Sequence, residues 1–133
     1  MNNQDTTTEQ IRPRWFIDLD WYQQSSRSFL ALAQGCLCPK CRERLQAGEV
    51  SSADLLATIR DCCSKTPDFI TARLPVLERI FRLFLAGGNQ PLDVEELGKQ
   101  LTDWCGETCG TSAGVLSRLL ASDQYYGLRQ SSS

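Results

Sequence analysis

The sequence predicts a mainly α-helical bundle built around a cysteine metal site, and three observations point to that class. Apolar residues recur at helical spacing from Leu19 to Leu120, between capping residues and glycine or proline punctuation. Seven cysteines are grouped, not scattered: Cys36, Cys38, Cys41, Cys62, Cys63, Cys105 and Cys109. Strand-like character is confined to short aromatic stretches near either end.

Composition sets the outer limits. With 133 residues, 41% of them hydrophobic and 23% charged, the chain can bury a real core, and wholesale disorder is excluded. No apolar run is long enough to span a bilayer, and the start lacks the basic-then-apolar order of a signal peptide. A cytoplasmic protein with no membrane partner is expected. In that reducing compartment, clustered thiols more often bind metal or do redox chemistry than form structural disulfides, and an odd count leaves one thiol over. The net charge of -2 argues against a dominant polyanion-binding surface. Its distribution is uneven: eight basic against six acidic residues from Lys40 to Arg82, then three against six from Leu83 onward.

Taken in order, residues 1–11 form a polar, flexible tail, and Arg12–Ile17 an extended arm whose Trp15 and Phe16 pack on the body. Asp18 or Asp20 caps a helix running to about Gln34, with Leu19, Tyr22, Phe29, Leu30 and Ala33 on one face. Gly35 ends it in the left-handed conformation. Cys36–Cys41 is a turn shaped by Pro39, and Arg42–Ala47 a short helix stopped by Gly48. Ser51 or Ser52 caps a helix carrying Leu55, Leu56, Ile59, Cys62 and Cys63 to one side. Thr66-Pro67 starts a further helix that Pro75 interrupts, which completes an N-terminal helical region over residues 12–73.

The next helix, about Val76–Ala86, buries Leu77, Ile80, Phe81 and Phe84 and ends at Gly87-Gly88. Asp93 and Glu96 make a capping box for a helix bearing Val94, Leu97 and Leu101. After a loop from Trp104 to Gly110, Thr111 or Ser112 caps a helix that buries Val115, Leu116, Leu119 and Leu120. Tyr125–Arg129 is strand-like, and residues 130–133 are a disordered tail.

Helix, capped helix, capped helix and strand-like end, over residues 74–129, resemble the winged-helix class of helix-turn-helix domains. The resemblance implies a winged-helix-like C-terminal half in which Thr111–Ser122 takes the place of a recognition helix. It makes Ser112, Ser117 and Arg118 candidates for a nucleic-acid or partner surface. Lys40, Arg42 and Arg44 are the better electrostatic candidates, since they lie in the basic middle of the chain.

Cys38-Pro39-Lys40-Cys41 has the two-residue spacing of a metal knuckle, in which two thiolates face one ion. Cys62 and Cys63, about twenty residues on, are the nearer partner pair, and both can reach if their helix ends there. Cys36 is a spare or fourth ligand. The rival set pairs Cys38 and Cys41 with Cys105 and Cys109. Zinc and an iron-sulfur cluster both suit all-thiolate coordination. Reduced core thiols and a redox disulfide, Cys105–Cys109 first, are the other readings of the cysteines.

Catalysis has little support, because the chain has no histidine and no nucleotide fingerprint. The expectation is therefore a non-enzymatic, Cys-ligated binding module. A nucleic-acid-binding or transcription-associated regulator stands first. A protein-interaction or assembly factor with structural zinc is one alternative, and an iron-sulfur or thiol-based redox protein another.

Overall fold

The computed structural model describes residues 13–45 and 51–131. Seven α-helices occupy these residues: α1 (Leu19–Gln24), α2 (Phe29–Gln34), α3 (Pro39–Leu45), α4 (Ser52–Asp61), α5 (Val76–Ala86), α6 (Val94–Cys105) and α7 (Ala113–Ser122). Two short strands, β1 (Trp15–Ile17) and β2 (Leu128–Gln130), complete the architecture. The mainly α class is as expected. No helix among the described residues is long and apolar enough to cross a membrane.

Capping chemistry sets most of the helix starts. Asp18, Ser28, Ser51, Asp93 and Ser112 each accept a backbone N–H from the first turn of the following helix. At α6 the capping box is complete: Glu96 N–H donates to Asp93, and Asp93 N–H donates to the Glu96 carboxylate. Helix α5 lies at the centre, with Ile80, Phe81, Leu83, Phe84 and Leu85 all buried. A run of edge-to-face or tilted rings, Tyr22–Phe29–Phe81–Tyr126, ties α1, α2 and the segment before β2 to it.

The strands join the two ends of the described chain. β1 pairs antiparallel with β2, with Phe16 opposite Arg129. On its other side Trp15 exchanges two backbone hydrogen bonds with Leu92, which precedes α6. Asn89 extends this edge with its side chain: Ile17 N–H donates to its Oδ1, and its Nδ2 donates to Ile17 O. Residues 74–129 contribute α5, α6, α7 and β2, and β2 finds its strand partner in β1.

Several local expectations are corrected. The helix expected from Asp18 to Gln34 is two helices, broken at Ser25–Ser28, where Ser26 takes a positive φ and Ser28 caps α2. Leu19, expected on the buried face, is exposed. Gly35 does end α2, but with φ -66, so it terminates without left-handed backbone. No helix follows Thr66-Pro67. The Thr66 hydroxyl donates backwards to Cys63 O, and the loop carbonyls of Phe69, Ala72 and Leu74 are taken by the Arg82 and Arg79 guanidiniums. With those carbonyls satisfied by side chains, the loop needs no helix of its own.

Pro39 and Cys41 belong to α3, which begins three residues before the expected Arg42. The expected stop at Gly48 and the tail at 1–11 lie outside the described residues. Trp104 and Cys105 extend α6 into what was expected to be loop, and Gln130 sits in β2, not in a tail.

Candidate metal centre

Two chain breaks create the site. Helix α3 starts with Pro39 as its first residue, which leaves Cys38 just outside and Cys41 in the first turn. Helix α4 stops at Asp61. Cys62 is its C-cap, and Cys63 opens a single 3-10 turn to Lys65. Because regular helix ends there, the adjacent side chains are freed from the roughly 100° divergence of consecutive helical positions.

The sulfurs of Cys38, Cys41 and Cys62 lie within 4.8 Å of one another. Cys41 and Cys62 stand with Sγ to Sγ at 3.3 Å. Cys63 joins from beneath: the Cys38 backbone N–H donates to its sulfur at 3.2 Å. The Arg44 guanidinium donates to Cys41 Sγ at 3.7 Å. Cys41 and Cys63 are fully buried, whereas Cys38 and Cys62 are partly exposed. The group therefore sits at the rim of the core, with an outlet to solvent.

The thiols differ in acidity. The Cys41 backbone N–H points at the Cys38 sulfur, stabilises its anion and lowers it to about 7. Burial pushes Cys41 up to about 12, and it raises Cys63 as well. The metal-free group thus favours a thiolate at Cys38 beside protonated Cys41 and Cys63, because several sulfur anions this close repel one another.

The donor set fits a metal ion. Tetrahedral zinc with thiolates at about 2.3 Å places the sulfurs about 3.8 Å apart, which a group already within 4.8 Å reaches by small rotations. The cluster of three cysteines could hold such an ion, and the N–H and guanidinium donors around it would share the sulfur charge.

The other cysteines are placed elsewhere. Cys36 is buried in the core with its sulfur directed at Leu32 O, and burial raises it to about 11. Cys105 and Cys109 are joined as a disulfide across the 3-10 turn that links α6 to α7. The rival ligand set that used them is therefore not assembled, and the pairing is the one expected had they formed a disulfide.

The structure divides the expected surface residues between two elements. Lys40, Arg42 and Arg44 are exposed on α3 beside the cluster. Ser112, Ser117 and Arg118 are exposed on or next to α7, and the Ser112 hydroxyl is already engaged as the helix cap. Sequence reasoning missed the loop contacts of Arg79 and Arg82. Their partners are set by tertiary packing and leave no local pattern.

The chain matches no protein-family model, no curated protein and no solved structure, so its chemistry is read from its own residues.

Proposed function

We propose that the chain is a metal-stabilised binding module in which one tetrahedral ion, zinc in preference to an iron-sulfur cluster, ties α3 to the end of α4. The observation that carries this is the convergence of Cys38, Cys41 and Cys62 from two separate elements. Cys63 is the nearest candidate for a fourth ligand. Compactness favours a single ion, since an iron-sulfur cluster spaces its cysteines around several metal atoms. With Cys63 as the fourth sulfur the site would leave no position for substrate, and in this reading it is structural, not catalytic.

In this reading the module works in the cytoplasm and its partner is nucleic acid, met through the exposed cations of α3. Lys40, Arg42 and Arg44 lie within five residues on a helix that the metal would hold in place. Helix α7 offers only Arg118 as a cation, so it is the weaker surface for phosphate contacts.

The test is elemental analysis of protein purified without added metal or oxygen, followed by retention on single- and double-stranded nucleic acid across a salt series. One equivalent of zinc, lost in Cys41→Ser, together with retention that weakens as salt rises, is expected. A metal-free chain of unchanged melting temperature would overturn the metal reading. Metal without salt-dependent retention would overturn the nucleic-acid reading.

A further inference from the structure

Beside the cluster, and sharing Cys38 with it, lies a second feature. A cavity of about 230 Å³ opens between the α2–α3 corner, the loop at residues 66–69 and α5. Its walls include Cys38, Arg42, Thr66, Asp68, Phe69 and Arg82. It falls below the roughly 300 to 1,000 Å³ of drug-sized ligand sites, so its occupant is small. The surroundings are mostly polar, and the two guanidiniums come from different helices.

The donors are incompletely used. Arg82 gives Nη1 to Phe69 O at 3.0 Å and Nη2 to Glu78 at 3.1 Å, while its Nε is buried without an acceptor. It is the only such side-chain atom among the described residues. A buried N–H left unpaired carries an uncompensated desolvation cost, so an acceptor that reached it would be favoured. Arg42 donates through Nη2 to two neutral carbonyls, Leu37 O at 3.2 Å and Gly35 O at 3.5 Å. Among the described residues it has no carboxylate partner.

Charge is divided in a useful way along α3. Arg44 addresses the Cys41 sulfur, whereas Arg42 turns toward the cavity side. Glu78 offsets Arg82, so Arg42 supplies the uncompensated cation and Arg82 the uncompensated donor. Asp68 is the one carboxylate in the wall and is exposed. It opposes an anion, and that opposition supplies a control.

We propose that this cavity binds one small tetrahedral oxyanion of the phosphate type, held between the guanidiniums of Arg42 and Arg82. A tetrahedral group presents acceptors in several directions at once and can meet two guanidiniums from separate helices, whereas a planar carboxylate is matched by one fork. The phosphate could be free or part of a polynucleotide backbone. The proposal extends the binding reading but does not depend on it, because inorganic phosphate alone is the probe.

The experiment is calorimetric titration of the chain as purified, with its metal content recorded, with inorganic phosphate at low ionic strength, against chloride matched for ionic strength. Arg42→Gln and Asp68→Asn change exposed side chains, and circular dichroism checks that both variants fold. Saturable binding of one phosphate per chain, several-fold weaker in Arg42→Gln and tighter in Asp68→Asn, is expected. No saturable heat up to ~10 mM phosphate, a range that covers weak millimolar sites, would overturn the proposal. So would equal affinity in all three proteins.

The same variants separate this proposal from the nucleic-acid reading. Phosphate binding with the expected variant pattern, without retention of any polynucleotide, supports a site for a free phosphate compound and removes the nucleic-acid partner. Retention of polynucleotide without phosphate binding leaves that partner in place and removes the cavity site.

Discussion

Cys41 and Cys62 are 21 residues apart in the chain, yet their sulfurs stand 3.3 Å from one another. Two thiolates cannot share that separation in a buried setting without a cation between them. In the metal-free chain the conflict is met by protonation, with Cys41 raised to about 12. A bound ion would meet it differently, by taking the proton's place.

Metal binding should therefore release protons. Calorimetry in buffers of different ionisation heats is expected to show proton release at neutral pH. Affinity should fall as pH is lowered from about 8 to about 6, by about tenfold per unit for each proton displaced. Affinity that is flat across that range would mean the thiols shown here are not the ligands.

Alkylation should report the unequal acidities. Cys38, lowered to about 7, is the thiolate of the metal-free group, while Cys36 is buried and raised to about 11. With limiting iodoacetamide at pH 7, peptide mapping should find Cys38 modified at least about a hundredfold faster than Cys36. Bound metal should slow Cys38 modification sharply, and equal rates with and without metal would count against its ligation.

Asp123 is a structural carboxylate that holds the turn into β2. It is buried, and its two oxygens accept the backbone N–H groups of Tyr125, Tyr126 and Leu128. Asp123→Ala leaves those donors without their acceptor and should cost about 3 kcal/mol in denaturant unfolding. Asp123→Asn should fall between it and the parent, since one carbonyl oxygen survives.

Gly127 should tolerate no side chain. Its φ is +69, and a Cβ would stand 2.8 Å from Tyr22 and 2.9 Å from Trp21 ring atoms. Gly127→Ala is expected to lower stability by about 2 kcal/mol, combining backbone strain with displaced rings. A melting temperature equal to the parent's would show that this corner readily rearranges.

Alkaline pH should unfold the chain through its tyrosines. Burial raises Tyr126 from 10.0 to about 12, and it raises Tyr22, whose hydroxyl donates to Tyr126 O, further still. Because the folded-state values lie above the unfolded ones, this stability is fully present below about pH 10 and is lost as pH rises toward 12. Tyr22→Phe should reduce the steepness of that loss, as followed by circular dichroism.

Much of the helix pattern was legible because its determinants are local. Ser51, the Asp93–Glu96 box and Ser112 announce their helices within four residues, and the buried stripe of α5 needs only its own periodicity. The break at Ser25–Ser28 was hidden because Tyr22 and Phe29 keep helical spacing across it. The absent helix after Thr66 was hidden for a different reason: its alternative hydrogen bonds come from Arg79 and Arg82, on another element. For the site, the Cys38–Cys41 knuckle and its Cys62 partner could be read from spacing. The removal of Cys36 to the core, and of Cys105 with Cys109 to a disulfide, depended on how the helices pack.

The clasp between β1 and β2 also orders events during synthesis. Trp15 and Ile17 leave the ribosome more than a hundred residues before their partner strand at Leu128–Gln130. Until then the nascent chain carries an open edge and two large apolar side chains without their final cover. Helices α1 to α7 can form as they emerge, yet the two-stranded sheet waits for β2. A stall before residue 128 would therefore release a chain with its helices made and its closing strand missing, a species suited to capture by chaperones.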